Sequence, residues 1–331
     1  MSLPCDVLGI GLNATDTLIL VKEFPPYAGK VPFGRELISP GGQVATAVVA
    51  AARLGLRTKY IGTIGDDARG SIQRASLEQL DIDTSSLIVR PDCPNQTAYI
   101  IIDQRTGERT VLWQRDEGLR LSPSDLREED VRHARLLHID GYDVEAATHA
   151  AKIAQAHGIP VSLDVDSVYP GFDAVLRHVD YLVAGSSWPS KWTGESDPFD
   201  ALLSLNREYG CRVTSMTLGN RGSLALYQER WYYSAAFEVP CLDTTGAGDV
   251  FHGAFCCAML EDMALDEALT FSNAAAALNC TAIGARGHVP TRSEINQLIF
   301  EAKNGKVKRL SADEITEQLV RANAAPALLN Q

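Results

Sequence analysis

The stretch Asp243-Thr244-Thr245-Gly246-Ala247-Gly248-Asp249-Val250-Phe251-His252-Gly253 decides how the rest of the chain is read. Two threonines lead into two glycines separated by one alanine, then an acid, then an apolar run ending near Met259. Val250, Ala254, Cys257 and Ala258 recur at spacings of three and four, so the run is helical by pattern. Gly246-Ala247-Gly248 therefore sits where a loop becomes a helix, with backbone N–H groups that lack intrahelical partners. Glycine and alanine leave those donors bare, so an anion can approach the main chain closely. Asp249 stands at the helix mouth, a carboxylate beside an anion hole. That pairing suits removal of a hydroxyl proton next to a phosphoryl group in transfer. Taken alone, G-A-G-D is also a common turn capped by an acid, and so short a motif often matches by accident.

The longer string D-T-T-G-A-G-D-x-F-x-G is far more specific. It resembles the C-terminal signature of the ribokinase-like carbohydrate kinases, the PfkB family. A second run, Pro40-Gly41-Gly42-Gln43-Val44-Ala45-Thr46 continuing through an alanine-rich helix to Leu54-Gly55, resembles that family's N-terminal signature. Gly62-x-x-Gly65-Asp66-Asp67-x-x-Gly70 follows it as expected. The resemblance extends over roughly residues 5–300. It implies an α/β fold, a mostly parallel central sheet flanked by helices on both faces, with a small β-sheet lid. It places one kinase domain at 1–303, a lid at about 14–40 and 95–115, and a C-terminal helix and tail at 304–331.

The chain's own pattern agrees. Cys5 to Gly11 reads as a buried strand ending in Gly9-x-Gly11-x-x-Ala14, a near match to the dinucleotide fingerprint. That fingerprint requires a helix next, whereas Asp16-Thr17-Leu18-Ile19-Leu20-Val21 is strand-like. A Rossmann cofactor site is therefore rejected. Residues 16–40 and 84–115 are β-rich patches that can pair as a separate small sheet. Between them the pattern predicts a helix to Leu54, a strand at Lys59 to Ile64 and a helix from about Asp67 to Leu80. From 130 onward strands at 136–140, 161–164, 181–184 and 213–218 alternate with helices near 144–157, 172–178 and 198–209. A hairpin at 223–235 and helices at 248–261, 265–283 and 291–302 complete it. Such alternation implies a parallel sheet with ligands at the carboxyl ends of its strands.

The resemblance assigns further roles. Asp249 is the base, with Gly246, Ala247 and Gly248 as the anion hole. Asp16, Gly41, Gly42 and Thr46 bind the sugar. Arg109, in Gly107-Glu108-Arg109-Thr110, resembles a ketohexokinase lid arginine that reaches phosphate, for which a guanidinium is suited. Lys30 is a candidate contact for an anionic tail on the sugar, although an exposed loop lysine is the plainer reading. Thr217, Gly219 and Gly222, in a T-L-G-x-x-G turn, approach ATP together with Thr244, Asn279 and Gly284. A monovalent cation, potassium, is expected near Asp243, Thr245, Gly284 and His288; His288 is by itself a plain loop residue. Two departures stand out. Thr46 replaces the usual Asn, and Gly185 and Trp188 occupy the places of an N-x-x-E pair that organises magnesium and phosphate in many relatives.

The substrates expected are ATP with Mg²⁺ and a small carbohydrate, by motif a ketose of the kind taken by the ketohexokinase and sulfofructose kinase branch. A nucleoside kinase and a catalytically silent sugar- or nucleotide-binding regulator are the alternatives. No P-loop and no protein-kinase glycine loop is present. A net charge of −12 disfavours nucleic acid and anionic membrane as partners. The seven cysteines, at 5, 93, 211, 241, 256, 257 and 280, show no C-x-x-C, so metal knuckles and a disulfide framework are not expected. No apolar run approaches the roughly 18 residues of a membrane span, and a cytoplasmic enzyme, dimeric through its lid, is the expectation.

Overall fold

The computed structural model describes residues 5–310 and 315–319. Strands β1 (Cys5–Ile10), β2 (Ala14–Val21) and β3 (Phe33–Gly41) precede helix α1 (Gln43–Arg53). Then come β4 (Thr58–Ile61), β5 (Thr63–Gly65), α2 (Ala68–Glu78), β6 (Ile88–Arg90), β7 (Thr97–Asp103) and β8 (Arg109–Gln114). The middle of the chain holds α3 (Glu128–Arg132), β9 (Ala134–Ile139), α4 (Val144–Ala156), β10 (Val161–Val165), α5 (Asp173–Leu176) and β11 (Tyr181–Gly185). It continues through α6 (Trp188–Thr193), α7 (Pro198–Tyr209), β12 (Val213–Thr217), β13 (Ser223–Tyr227), β14 (Arg230–Ser234) and β15 (Ala236–Phe237). Helices α8 (Ala247–Leu260), α9 (Leu265–Asn279) and α10 (Arg292–Lys303) and strand β16 (Arg309–Leu310) close it.

Eight strands form the central sheet in the order β14-β13-β12-β11-β10-β9-β1-β4. The run from β12 to β4 is parallel, and β13 and β14 add an antiparallel edge. Its parallel strands are apolar and buried almost throughout, as a sheet covered on both faces requires. One core lies against α4, α5 and α7, the other against α1, α8 and α9. This is a ribokinase-like α/β fold. A second sheet, β3-β2-β7-β8, has only a small core of its own around Leu18, Leu20, Ala98, Ile100 and Ile102. Within it, Asp16 pairs with Ala98 and Ala98 with Trp113. Directly opposed residues share a face, so these three side chains point the same way.

Several expected bounds shift. The strand expected at 59–64 breaks at Gly62 into β4 and β5, each in a different sheet. The helix expected at 172–178 is a single turn, and that at 265–283 ends at Asn279, where the side chain turns to bind the Thr245 carbonyl. Within the expected helix at 304–331, Arg309–Leu310 instead pairs with β15, and 315–319 is helical. Residues 311–314 and 320–331 lie outside the described residues. Gly9 and Gly11 serve packing: a Cβ on Gly9 would run into Val48, and one on Gly11 would come within 2.6 Å of Asp140 Oδ2.

Helices α1 and α8 approach through small residues. A Cβ on Gly253 would strike the Ala47 carbonyl and lie 2.6 Å from Ala50 Cβ. That close contact aligns the beginnings of both helices on one cavity. Gly253→Val should therefore destabilise the protein by about 1–3 kcal/mol or more through overpacking. The check is a lower urea midpoint at unchanged slope; a wild-type midpoint would mean the two helices have room to spare.

Candidate active site

A cavity of about 430 Å³ lies where the carboxyl ends of β1, β10, β11 and β12 meet the second sheet and the first turns of α1 and α8. Asp16, Gly42, Arg109, Thr217, Thr245, Gly246, Gly248 and Asp249 all line it, although the sequence spreads them over most of the chain. Helix α8 starts on Gly246, whose φ of 76° is left-handed and whose missing side chain leaves room for the Ala285 carbonyl. Among the described residues, the N–H groups of Gly248 and Asp249 meet no acceptor. A Cβ on Gly248 would point into open space. The bare donors and the positive end of the α8 dipole thus face the cavity, ready for an anion.

The loop before α8 is fastened from several sides. Asp243 is fully buried and accepts from Thr245 N (2.9 Å), Thr245 Oγ1 (2.6 Å) and Gly284 N (2.8 Å). Asn279 donates to the Thr245 carbonyl at 2.9 Å. Arg109, on β8, donates to Thr244 Oγ1 at 2.6 Å and so ties the second sheet to this loop. Gly219 and Gly222 shape the turn after Thr217. His288 contacts Thr281 Oγ1 (2.8 Å) and Glu294 Oε1 (3.1 Å). Thr46 is fully buried and accepts from Arg286 Nε at 3.1 Å. Gly41 abuts the Asp16 carboxylate. Lys30 is exposed in the loop between β2 and β3 and does not line the cavity.

The structure adds residues that the motifs did not reveal. Asp164 and Asp166, at the end of β10, line the cavity with Asp249. Their position at a strand's carboxyl end was the available signal. His252 lies three residues beyond Asp249 on the same helix face, and its Nε2 is 3.1 Å from Asp164 Oδ1. His138 lies behind it with ring centroids 5.6 Å apart, and among the described residues His252 Nδ1 and His138 Nε2 have no hydrogen-bond partner. Trp113, Tyr142 and Tyr169 form an aromatic wall, with Tyr142 in edge contact with the other two at 6.2 and 5.1 Å. Trp188 is fully buried, donates from Nε1 to the Ser167 carbonyl at 3.1 Å and stacks on Trp192. It therefore braces the loop that carries Asp166. A wider groove of about 1050 Å³ shares Tyr142 and Tyr169 but holds none of the motif residues, and its Arg115 is already paired with Asp143 at 2.8 Å.

Burial sets the protonation pattern. Loss of solvent pushes Asp16 up to about 7, opposed by the Arg286 charge. Asp140 is likewise pushed up to about 7 by burial, against two backbone donors. Asp249 rises well above the usual carboxylate range, first through burial and then through the charge of Asp164, with Arg109 pulling the other way. Burial raises Asp164 strongly and lowers His252 to about 3, so this pair is a neutral carboxyl and a neutral imidazole sharing a hydrogen bond. Asp164, Asp166 and Asp249 bring three carboxyl groups into one cavity. A divalent cation relieves such crowding, and carboxylate oxygens are the donors magnesium takes. Among the described residues no group of three or more His, Cys, Asp or Glu is placed to hold a metal ion by itself, so an ion here would have to bring most of its ligands with it, as one held by phosphates does.

The chain matches the pfkB family carbohydrate kinase profile over residues 9–292 and belongs to that family. It is a phosphotransferase with an alcohol group as acceptor. It is 29% identical over 304 residues to a ribokinase of Haemophilus influenzae, covering 89% of this chain and 98% of that one. The fold superposes on a ribokinase candidate from Agrobacterium tumefaciens with a TM-score of 0.84 and 30% identity, over 91% of this chain and 99% of the other. Arabidopsis thaliana ribokinase, complexed with ribose and ATP, gives a TM-score of 0.74 at 23% identity over 89% and 99% of the two chains.

The protonation pattern has a signed consequence. Folding raises Asp16 and Asp140 from the ordinary carboxylate range to about 7. The folded state then holds protons that the unfolded state has lost, so stability falls as pH rises toward and through 7. The buried histidines act in the opposite sense, but only below their ordinary value of about 6.5. The melting midpoint of the ligand-free protein should thus drop between pH 6.5 and 8, and drop less in Asp16→Asn. A midpoint that climbs over this window would contradict the burial of these carboxyls.

Proposed function

We propose that the protein transfers the γ-phosphoryl group of ATP to a hydroxyl of a small sugar, with Asp249 as the base. The observation that carries this reading is the placement of Asp249 beside the bare N–H groups of α8, across one cavity from Asp16. The sugar hydroxyl gives its proton to an Asp249 carboxylate oxygen, its oxygen bonds the γ-phosphorus, and the bond to the ADP oxygen breaks. The α8 amides and Arg109 hold the charge on the transferring group. An elevated proton affinity makes Asp249 a stronger base. Asp16 accepts sugar hydroxyls, and the Gly41–Gly42 backbone lets the sugar approach.

Magnesium brought with ATP would be held by Asp164 and Asp166, where it supplies positive charge to the phosphates. His252 aims Asp164 and Trp188 steadies the loop of Asp166, a division of labour that supports the absence of N-x-x-E. A potassium ion near Asp243, Thr245, Gly284 and His288 would draw on loop carbonyls, because the Asp243 carboxylate already accepts three hydrogen bonds. Among sugars, the ketohexokinase-like motifs and Thr46 favour a ketose. The aromatic wall of Trp113, Tyr142 and Tyr169 favours a second reading, a nucleoside whose base stacks there.

Asp249→Asn should lower kcat by roughly 10²–10⁴-fold while leaving sugar binding intact. An Asn variant with near-normal turnover sinks the assignment. An ADP-release panel of ribose, fructose and adenosine decides the acceptor, with fructose expected to lead. We also assign a dimer contact to the outer face of the second sheet, the lid of this reading. Ile38, Tyr99 and Leu112 are exposed in a row across it, since each of Ile38 and Tyr99 pairs with Thr17, and Tyr99 with Leu112. Light scattering should return the mass of two chains, and Leu112→Asp should reduce it to one; a wild-type monomer refutes the contact.

A further inference from the structure

On the far side of the Pro40–Gly41–Gly42 segment from the acceptor cavity lies a cleft of about 440 Å³. It is walled by Arg53, Arg286 and His288, with Ser76 and Gln79 contributing polar groups, and no carboxylate lines it. In a chain of net charge −12 that is a local reversal of sign. The two guanidinium groups differ in their freedom. Arg286 uses Nε on Thr46 Oγ1 (3.1 Å), Nη1 on Ser76 Oγ (2.7 Å), and Nη2 on the Gly41 carbonyl (2.9 Å) and Gln73 Oε1 (3.4 Å). All four partners are neutral, so its charge has no ion-pair partner among the described residues. Arg53 is exposed, and its recorded bond is the long one from Nε to the Val289 carbonyl, 3.4 Å. Among the described residues its two terminal nitrogens meet no acceptor and form an open fork. The neighbouring acid, Glu294, is already taken up by His288, Thr291 N and Thr291 Oγ1.

We propose that this cleft binds a small tetrahedral dianion, inorganic phosphate or a phosphomonoester, with the Arg53 fork gripping its oxygens and Arg286 balancing its charge. A guanidinium fork matches such oxygens bidentately, and a half-buried cation without a counter-ion gains most from one. Occupancy also reaches the acceptor cavity. Arg286 ties down the Gly41 carbonyl and Thr46, and its field favours the ionised form of Asp16. An anion beside Arg286 weakens that field and with it the grip on sugar hydroxyls. The ligand therefore acts as a brake that raises the sugar KM and leaves kcat alone.

The test uses the full-length protein saturated with Mg·ADP, so that the nucleotide phosphate positions are filled. Phosphate and glycerol phosphate should each raise the melting midpoint of the wild type. The apparent affinity should weaken by about tenfold or more, about 1.4 kcal/mol, in Arg53→Glu. Gln79→Glu, which adds a carboxylate without touching Arg53, should show the same loss and guards against a folding defect in the first variant. Both variants should keep the wild-type kcat, and in both the sugar KM should no longer rise when phosphate is added. A shift that persists unchanged in both variants belongs to the phosphate pocket of the active site and overturns the proposal, as does the absence of any shift in the wild type. Sulfate, a dianion of the same shape, should compete with phosphate, and a chloride response equal to that of phosphate at matched ionic strength overturns the assignment to a tetrahedral dianion. The binding readout stands whether or not the acceptor is a sugar.

Discussion

The site depends on how closely α1 and α8 pack. Glycine and alanine at the contact let the Ala47 carbonyl lie against Gly253, nearer than any larger side chain permits. The geometry carries the N-terminal turns of both helices to one cavity, one offering Gly42 and the other Gly246, Gly248 and Asp249. Bare N–H groups gain from an anion only if nothing else approaches them first. Packing excludes the protein's own acceptors, and the glycines exclude side chains. The Ala285 carbonyl, set against Gly246, holds the turn in its left-handed form.

That dependence explains which parts were legible in the sequence. A backbone that must be bare or left-handed is written in glycine, so D-T-T-G-A-G-D and P-G-G could be read directly. The strand–helix alternation gave the central sheet because buried parallel strands are apolar runs of limited length. Other residues owe their place to topology. Asp164 and Asp166 enter only because β10 ends at the cavity. Trp113 enters by register through Ala98, opposite Asp16. Arg286 is unremarkable in G-A-R-G, and its partners at 41, 46, 73 and 76 come from three separate elements. His252 was the nearest to being readable, one helical turn from Asp249, but its partner Asp164 is remote in sequence and reaches it only through the fold. Lys30 erred the other way: its charge invited a role, while its loop leaves it in solvent.

An acidic protein that handles a polyphosphate faces an electrostatic conflict. The cavity itself holds Asp16, Asp164, Asp166 and Asp249, and carboxylates there repel one another and repel phosphate whenever they ionise. The fold resolves this by separating the means of attraction from net charge. Main-chain dipoles contribute no formal charge and need no counter-ion. Arg109 reaches in from the second sheet and is held on Thr244. Asp164 keeps its proton and shares it in a hydrogen bond with the neutral His252, which leaves one carboxyl uncharged in the cavity. If Asp164 and Asp166 hold magnesium as proposed, the same acids that repel free phosphate would attract the magnesium complex of ATP. On the proposed reading, selection of the metal-bound nucleotide over the free anion would follow from where the acids are placed, and removing them would weaken discrimination before it weakened the fold.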